Sequence, residues 1–383
     1  MTLPVEPSVY TGTAGAIKTT KLLTSTAEDY MPAFREVVFT KTPFIKALAL
    51  KAFGPGALRE GKFGNVDKTS GSGIKLTDPS FQFASNLYTS APTGSHVGRM
   101  GTINPQYIDD ANGMQYAYKR LVWSIYIPEE FVKDNTGKAR LLDEMGNQMK
   151  KAQMAAVRDL NYILLGSSSA PASSPYGLPY MISVTQSSDS DYAIGNLAPG
   201  TYSWWQNKYT ACTSVGGGGD LDRPLALLRK MEKAVLDVDQ YTGSTDSKVL
   251  VGTLGAYMYY LRAAYADTVA LGTNANLGNK DFYDAGITHA IFRGLPFIYD
   301  PAVTTPYGAS ATTTECIYIC DFSELGLAVR KDEYFMVEGW QAPITKDKQR
   351  FYQANIWLKY TPYVLNRRIQ SLVYNMPNNT DAD

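Results

Sequence analysis

The residue types that most often do chemistry in proteins are scarce in this chain. It has two histidines, His96 and His289, and three cysteines, Cys212, Cys316 and Cys320. Neither histidine has another histidine, a cysteine or a carboxylate at metal-ligand spacing. The sequence contains no G-x-S-x-G nucleophile elbow and no H-E-x-x-H motif. We therefore expect no catalytic residue, no metal site, no cofactor and no enzyme activity.

Two local patterns come close to a site and fail on physical grounds. Cys316 and Cys320 lie in a strand-like run, where four residues span roughly 13 Å, too far for a disulfide or one shared metal. The stretch from Gly56 to Phe63 fits the phosphate-binding pattern G-x-x-x-x-G-K. Its next position, however, is Phe63, where Ser or Thr would hold Mg²⁺, and the residues before it are helical in pattern. We expect no nucleotide site there.

The composition of the chain excludes several classes of protein. The 383 residues carry 36 basic and 36 acidic side chains, so no general basic field exists for nucleic acid or acidic lipid. No apolar run of about 18 residues and no signal pattern occurs, so we expect no membrane span and synthesis in a cytoplasm. Tyrosine is frequent, with 27 residues against 14 phenylalanines. That usage suits wide, partly wet contact surfaces, and equally a β-rich fold with half-exposed strands.

The segment 137–166 is the element around which the other elements are organised. Its apolar side chains recur every three or four residues, which predicts a helix of roughly 40 Å. Gly166 and the Ser/Ala/Pro-rich run behind it would end this helix. The apolar stripe consists of Leu142, Met145, Met149, Ala152, Ala156, Leu160 and Ile163. A helix this long is usually the backbone of a layered domain.

Two segments lack the pattern of a compact domain. Residues 1–28 are rich in Thr, Gly, Ala and Pro, which predicts an N-terminal arm. Residues 54–113 contain many glycines and no strong apolar face. Sixty such residues inside a compact domain would be unusual, so we predict a long two-stranded arm that reaches away from the body. An isolated hairpin is marginal in water, so the arm would need a neighbouring subunit.

The rest of the chain divides into two sets of elements. Residues 29–53 predict two short helical pieces that break at Thr42-Pro43, and 114–127 alternate as a strand. A second lobe follows. It has a helix from Asp222-Arg-Pro, a buried strand at 247–252, a short helix that Thr253 caps and that runs through Tyr265, and a strand pair within 287–299. Residues 315–375 return to alternating strands, for which the strand 114–127 is the candidate partner. The first domain would then be discontinuous.

This order of parts resembles the major capsid protein of tailed bacteriophages, a fold shared with encapsulin compartments. KRLVWSIYIPEEFVKD (119–134) looks like that family's strand leading into the spine helix. The run 158–182 is similar to its helix end followed by a Gly-Leu segment, and 291–299 to its Gly-x-Pro hairpin. Residues 318–323 resemble a strand that ends in an acidic-aromatic-small run, although Cys320 replaces the usual glycine.

The resemblance implies an α+β fold with a discontinuous peripheral domain, an extended arm loop and an inserted axial domain. The implied segments are 1–28 as the N-terminal arm, 29–53 with 114–174 and 311–383 as the peripheral domain, 137–166 as the spine helix, 54–113 as the extended loop and 175–310 as the axial domain. The axial domain would meet its symmetry mates at the centres of hexamers and pentamers. Candidate subunit contacts in the arm are Arg59, Lys62, Asp78, Phe81 and Arg99.

The resemblance also implies a function. The chain would be a viral structural protein that self-assembles into the icosahedral head shell around phage double-stranded DNA. The alternative is an encapsulin-like compartment with the same fold and a different content. Implied partners are other copies, a portal, a separate scaffolding protein, possible cement proteins and DNA held non-specifically on the inner face, with no membrane. The protein would be assembled in the bacterial host cytoplasm and reside in the virion.

Overall fold

The computed structural model describes residues 42–53, 74–77, 82–88, 111–134, 144–166, 175–185, 192–212, 224–241, 247–271, 289–309, 315–346 and 349–376. The helices are α1 (Pro43–Phe53), α2 (Glu129–Asp134), α3 (Glu144–Gly166), α4 (Leu178–Met181), α5 (Pro224–Asp239) and α6 (Leu254–Leu271). The strands are β1 (Ile74–Thr77), β2 (Gln82–Tyr88), β3 (Ala111–Ala117), β4 (Lys119–Pro128), β5 (Lys208–Ala211), β6 (Lys248–Gly252), β7 (His289–Phe292), β8 (Leu295–Tyr299), β9 (Glu315–Asp321), β10 (Leu325–Arg330), β11 (Met336–Lys346), β12 (Gln349–Val364) and β13 (Ser371–Met376). The fold is therefore α+β.

Contacts divide the chain into two units. The first consists of Met1–Phe39, Trp123–Ala155 and Val337–Ile356, and the second of Thr40–Val122, Ala156–Met336 and Trp357–Asp383. Within the first unit, the Glu129 carboxylate lies 3.0 Å from Lys133 and 3.3 Å from Arg350. Asn355 donates a hydrogen bond to Glu338 at 2.9 Å. Both units draw on distant stretches of sequence.

A six-stranded sheet of order β5-β13-β9-β6-β8-β7 forms the centre of the second unit. β6 is antiparallel to β9 and parallel to β8, and β13 is parallel to β5. Helices α5 and α6 contribute to the same apolar core as the strands. Buried members of this core include Met231, Val235, Val238, Leu250, Tyr257, Phe297, Ile319 and Val373. The sheet takes β9 and β13 from the stretch that the resemblance assigns to the peripheral domain.

A second sheet joins the order β1-β10-β12-β11, with β4 also paired to β12. β1 is parallel to β10 in the register Ile74↔Leu327, and β10 is antiparallel to β12 in the register Leu325↔Val364. β2 and β3 form a separate antiparallel ladder that runs from Gln82↔Ala117 to Tyr88↔Ala111. The prediction that 54–113 leaves the body as a whole was wrong for 74–77, because these residues complete an edge of their own chain's sheet.

Several local predictions are confirmed. β4 alternates as expected, with Ile125 and Ile127 buried and Tyr126 57% exposed. All five residues of β6 are buried. The β7–β8 hairpin turns at Arg293 and Gly294, which have φ of 52° and 82°. The long helix α3 ends at Gly166 as predicted, and its described part starts at Glu144.

Two element boundaries differ from the predictions. The predicted strand 114–127 is two strands, β3 and β4, separated at Tyr118. The Tyr118 ring hydroxyl lies 2.6 Å from Thr77 Oγ1. The helix expected to stop at Tyr265 continues as α6 to Leu271, because Ala and Leu after Tyr265 are strong helix formers.

Candidate functional site

The five residues predicted to form subunit contacts lie outside the part of the chain that the structure describes. These residues are Arg59, Lys62, Asp78, Phe81 and Arg99. The structure therefore gives no distances between these five side chains. Their role in subunit contact stays a prediction, and the described residues nearest to them in sequence are the strands β1, β2 and β3.

The root of the arm, which we define as β1, β2 and β3, is held against the second unit. Thr77 Oγ1 donates to the Val329 carbonyl at 3.2 Å and lies 2.6 Å from the Tyr118 hydroxyl. The Phe83 ring lies 4.6 Å from the Tyr363 ring, centre to centre. These contacts tie the arm root to β10 and β12.

A close backbone approach braces β3 from the other side. The Gln115 N–H donates to the Gly195 carbonyl at 3.1 Å. Gly195 has φ of 60°, and a Cβ there would lie 3.0 Å from the Tyr116 ring. The Tyr116 hydroxyl donates to the Val364 carbonyl at 2.8 Å, and burial raises the pKa of this phenol. Glycine is favoured at 195, because its positive φ is strained for a side chain and an added Cβ would lie tightly against the Tyr116 ring.

Arg367 is a fully buried cation that joins four parts of the second unit. It lies in the short 3₁₀ turn Arg367–Ile369 and is 0% exposed. Its guanidinium donates to the carbonyls of Met181 at 3.0 Å and Trp205 at 2.8 Å. It also donates to the Tyr192 hydroxyl at 3.1 Å and to Asn207 Oδ1 at 2.6 Å. Burial lowers the pKa of the guanidinium, and these oxygens compensate its lost hydration.

Asp300 is a buried carboxylate at the end of the long helix. Asn161 of α3 donates its amide to both carboxylate oxygens at 3.0 Å. The N–H of Phe44, in the first turn of α1, donates to Oδ2 at 3.1 Å, and the N–H of Ala302 donates to Oδ1 at 2.9 Å. Burial raises the pKa of Asp300, while the three donors oppose that shift. One side chain thus joins α1, α3 and the segment after β8.

The start of α6 is capped differently from the prediction. Thr253 precedes the helix, but its hydroxyl donates to the Glu315 carboxylate. Glu315 Oε2 accepts from the Ala256 N–H at 3.2 Å, which is the contact expected of a capping side chain. The helix N-terminus is therefore satisfied by a residue that is distant in sequence, since β9 places Glu315 beside it.

The described residues contain no group of three or more His, Cys, Asp and Glu side chains that could hold a metal ion. Cys316 and Cys320 are buried free thiols in β9. Burial raises the pKa of Cys316 to about 12, so it is not a thiolate nucleophile at neutral pH. Of the described helices, none has the length and apolarity to cross a membrane.

Helices α5 and α6 expose apolar side chains of the kind that subunits bury against one another. Leu236 of α5 is 46% exposed, and Leu254 and Met258 of α6 are 55% and 45% exposed. Leu254 and Met258 are four residues apart, so they share one face of α6. This face is a surface on which another protein could pack, rather than a pocket for a small molecule.

Replacing Gly308 with alanine is expected to destabilise the second unit strongly. Gly308 has φ of 82°, and a Cβ would lie 1.8 Å from Thr185 Oγ1. The strained backbone costs about 1–3 kcal/mol, and the clash adds to it. Gly294→Ala is the matched control, because Gly294 has the same φ and no atom within 4 Å of the added Cβ. In urea unfolding, the free energy of unfolding of Gly308→Ala should be lower than that of Gly294→Ala. Equal values for the two variants would contradict the predicted clash.

The comparisons with known proteins give structural matches only. No family model matches the chain, and no curated protein sequence matches it significantly. The capsid asymmetric unit of Cyanophage A-1(L) aligns with a TM-score of 0.58 and 11% identity, covering 90% of this chain and 95% of that chain. The holo-SrpI encapsulin complex from Synechococcus elongatus PCC 7942 gives 0.53 and 12%, covering 95% and 98%. The capsid of a native GTA particle gives 0.51 and 10%, covering 94% and 100%.

These alignments span nearly the whole chain and nearly the whole of each matched protein. At 10–12% identity, the agreement lies in the fold rather than in shared residues. The chain has the α+β fold that phage capsid proteins and encapsulin shell proteins share.

Proposed function

We propose that the chain is a major capsid protein that self-assembles into an icosahedral head shell around phage double-stranded DNA. One observation carries the proposal: the phage capsid match covers 90% of this chain and 95% of the other, so no large part of either chain is left over for a different task. The scarcity of histidine and the buried thiols agree with a structural, non-enzymatic role.

In this proposal the assembly unit is the hexamer or pentamer. The axial domain (175–310) lies at the centre of each ring and the peripheral domain at its edge. The arm (54–113) lies on an adjacent copy except at 74–77, which pair with β10 of their own chain. Arg59, Lys62, Asp78, Phe81 and Arg99 make arm contacts there. Each contact is weak, but every subunit touches several neighbours, so the contacts act together.

The remaining partners follow from the same proposal. A head shell needs a portal at one vertex, a scaffolding protein during assembly and, in some shells, cement proteins outside. Packaged DNA lies against the inner face through non-specific contacts. Assembly takes place in the bacterial host cytoplasm, and the finished protein is part of the virion.

A second candidate function is an encapsulin-like compartment, since the encapsulin match covers 98% of that chain. The two functions differ in what the shell encloses. Shells purified from the protein's natural source, treated with nuclease and then opened, should release double-stranded DNA if the first proposal holds. Release of a single cargo protein without DNA would favour the compartment.

The arm contact can be tested on the purified full-length protein. Lys62→Glu is expected to raise the protein concentration needed for assembly by about tenfold, because each lost contact recurs around the ring and 1.4 kcal/mol is a factor of ten. Light scattering against concentration measures it. Lys46→Glu, an exposed change on α1, is the control and should assemble as the wild type does. Identical curves for the two variants would remove Lys62 from the interface.

A further inference from the structure

Strand β5 ends the six-stranded sheet, and its outer edge is open in the part of the chain that the structure describes. The N–H groups of Lys208 and Cys212 donate inward, to carbonyl oxygens along β13, at 3.1 and 2.9 Å. Backbone groups alternate in direction along a strand, so Tyr209 and Ala211 point theirs outward. Both residues are exposed. An edge with outward N–H and C=O groups is a template for another strand.

One of the outward backbone groups of β5, the Ala211 carbonyl, already accepts a hydrogen bond from a side chain. The Lys230 ammonium of α5 lies 3.3 Å from the Ala211 carbonyl and donates to it. This contact marks one end of the open edge. The N–H and C=O of Tyr209 and the N–H of Ala211 remain directed away from β13.

The opposite end of the edge is basic and aromatic. Lys208 Nζ lies 5.8 Å, and Arg368 Cζ 5.3 Å, from the centre of the Tyr241 ring. Neither cation forms an ion pair with a carboxylate of the described residues. Tyr241 follows the end of α5 at Asp239, so the ring that both cations approach lies just beyond that helix. Tyr209 and Tyr241 are 44% and 42% exposed.

We propose that the β5 edge, Lys208–Ala211, binds an extended acidic peptide segment that adds to the sheet as a further strand. The N–H and C=O of Tyr209 and the N–H of Ala211 pair with the peptide backbone, and its carboxylates lie beside Lys208 and Arg368. The backbone pairing favours a peptide, because a phosphodiester has no N–H to offer the Tyr209 carbonyl. Lys208 and Arg368 also repel the same two cations on a second copy, which disfavours pairing of two β5 edges with each other. This binding property belongs to the subunit and does not depend on what the shell encloses.

The probe is a fluorescein-labelled peptide of alternating Asp and Val, with a Lys-Val peptide of equal length as the control. Fluorescence anisotropy with the full-length protein should show binding of the acidic peptide only, weakening as salt rises. Lys208→Glu combined with Arg368→Glu should weaken binding at least about tenfold. Equal binding of both peptides, or unchanged affinity in the double variant, would overturn the proposal. So would a short DNA duplex that binds the same edge and displaces the peptide.

A proline at position 209 separates strand addition from simple charge attraction. Tyr209→Pro removes an N–H that β13 does not use and fixes φ, whereas Tyr209→Val keeps that N–H. The proline variant should lose peptide binding, and the valine variant should retain it; equal binding contradicts strand addition. Amide hydrogen exchange of the wild type needs no variant at all. Added acidic peptide should slow exchange at Tyr209 and Ala211, and unchanged rates at both would equally overturn the proposal.

Discussion

Replacement of Arg367 by methionine is expected to lower the free energy of unfolding by about 3–5 kcal/mol, comparable to breaking a buried ion pair. The methionine fills the volume of the side chain but donates no hydrogen bond. Four buried oxygens then lose the guanidinium as donor, namely the carbonyls of Met181 and Trp205, the Tyr192 hydroxyl and Asn207 Oδ1. The last two keep one partner each, because Asn207 Oδ1 still accepts from the Ser183 N–H and the Tyr192 hydroxyl still donates to the Tyr180 carbonyl. Each stranded acceptor costs about 1–3 kcal/mol, offset in part because a desolvated charge is removed.

The adjacent residue provides the control for this experiment. Arg368 is half-buried, and its guanidinium lies over the Tyr241 ring, so Arg368→Met should cost less than about 1 kcal/mol. Arg367→Lys should also fail to rescue stability, because one ammonium cannot reach four acceptors in different directions. Urea unfolding of the unassembled subunit, followed by tryptophan fluorescence, measures all three. An Arg367→Met variant as stable as Arg368→Met would show that the buried guanidinium does not hold these loops.

Replacement of Asp300 by alanine is expected to cost about 3 kcal/mol and to loosen α1 from α3. The carboxylate accepts from the Phe44 N–H, the Ala302 N–H and the Asn161 amide, all buried. Alanine leaves these donors without an acceptor in the interior, and each costs about 1–3 kcal/mol. Asp332→Ala is the control, since Asp332 makes a surface pair with Arg330 of the kind that contributes about 0–1 kcal/mol. Similar losses in both variants would contradict the central position of Asp300.

Asp300 should also make stability depend on pH in a defined direction. Burial holds its pKa in the folded protein above the ordinary value of 3.8. Because its pKa is higher in the folded protein, the protonated Asp300 carboxyl stabilises the folded state relative to the unfolded chain. This contribution to the free energy of unfolding is fully present below pH 3.8 and is lost as the pH rises through the folded pKa. The Asp300→Asn side chain does not titrate. The free energy of unfolding of the wild type, relative to that of Asp300→Asn, should therefore fall as the pH rises from 3.8 through the folded pKa of Asp300. Urea titrations at pH 4 to 8, in roughly unit steps, measure this difference. A difference that grows with pH would contradict the sign.

The elements with strong local patterns were predictable from the sequence. The alternation of β4, the apolar run of β6 and the Gly294 turn depend on interactions within a few residues. The fold class followed from the order of such elements along the chain. These features agree with the structure because local preference and tertiary burial point the same way.

The joints between elements were not predictable, because they connect residues that are distant in sequence. Arg367 stands in Asn-Arg-Arg-Ile, which has the pattern of a charged surface turn, and only the partners at Met181, Tyr192 and Asn207 make it a buried cation. Thr253 has the right type for a helix cap, but Glu315 takes that role from β9. The parallel pairing of β1 with β10 spans about 250 residues and leaves no local pattern. An aspartate directly after a strand and before Pro301 was the one signal that could have singled out Asp300.

Imaging of the purified full-length protein by negative-stain electron microscopy tests most directly the claim that this polypeptide builds a closed shell. The proposed function predicts hollow, uniform particles of icosahedral outline, with hexameric and pentameric rings in their walls, at concentrations where light scattering detects large species. A field of isolated subunits under every condition of salt, pH and concentration, with the subunits shown to be folded, would contradict it.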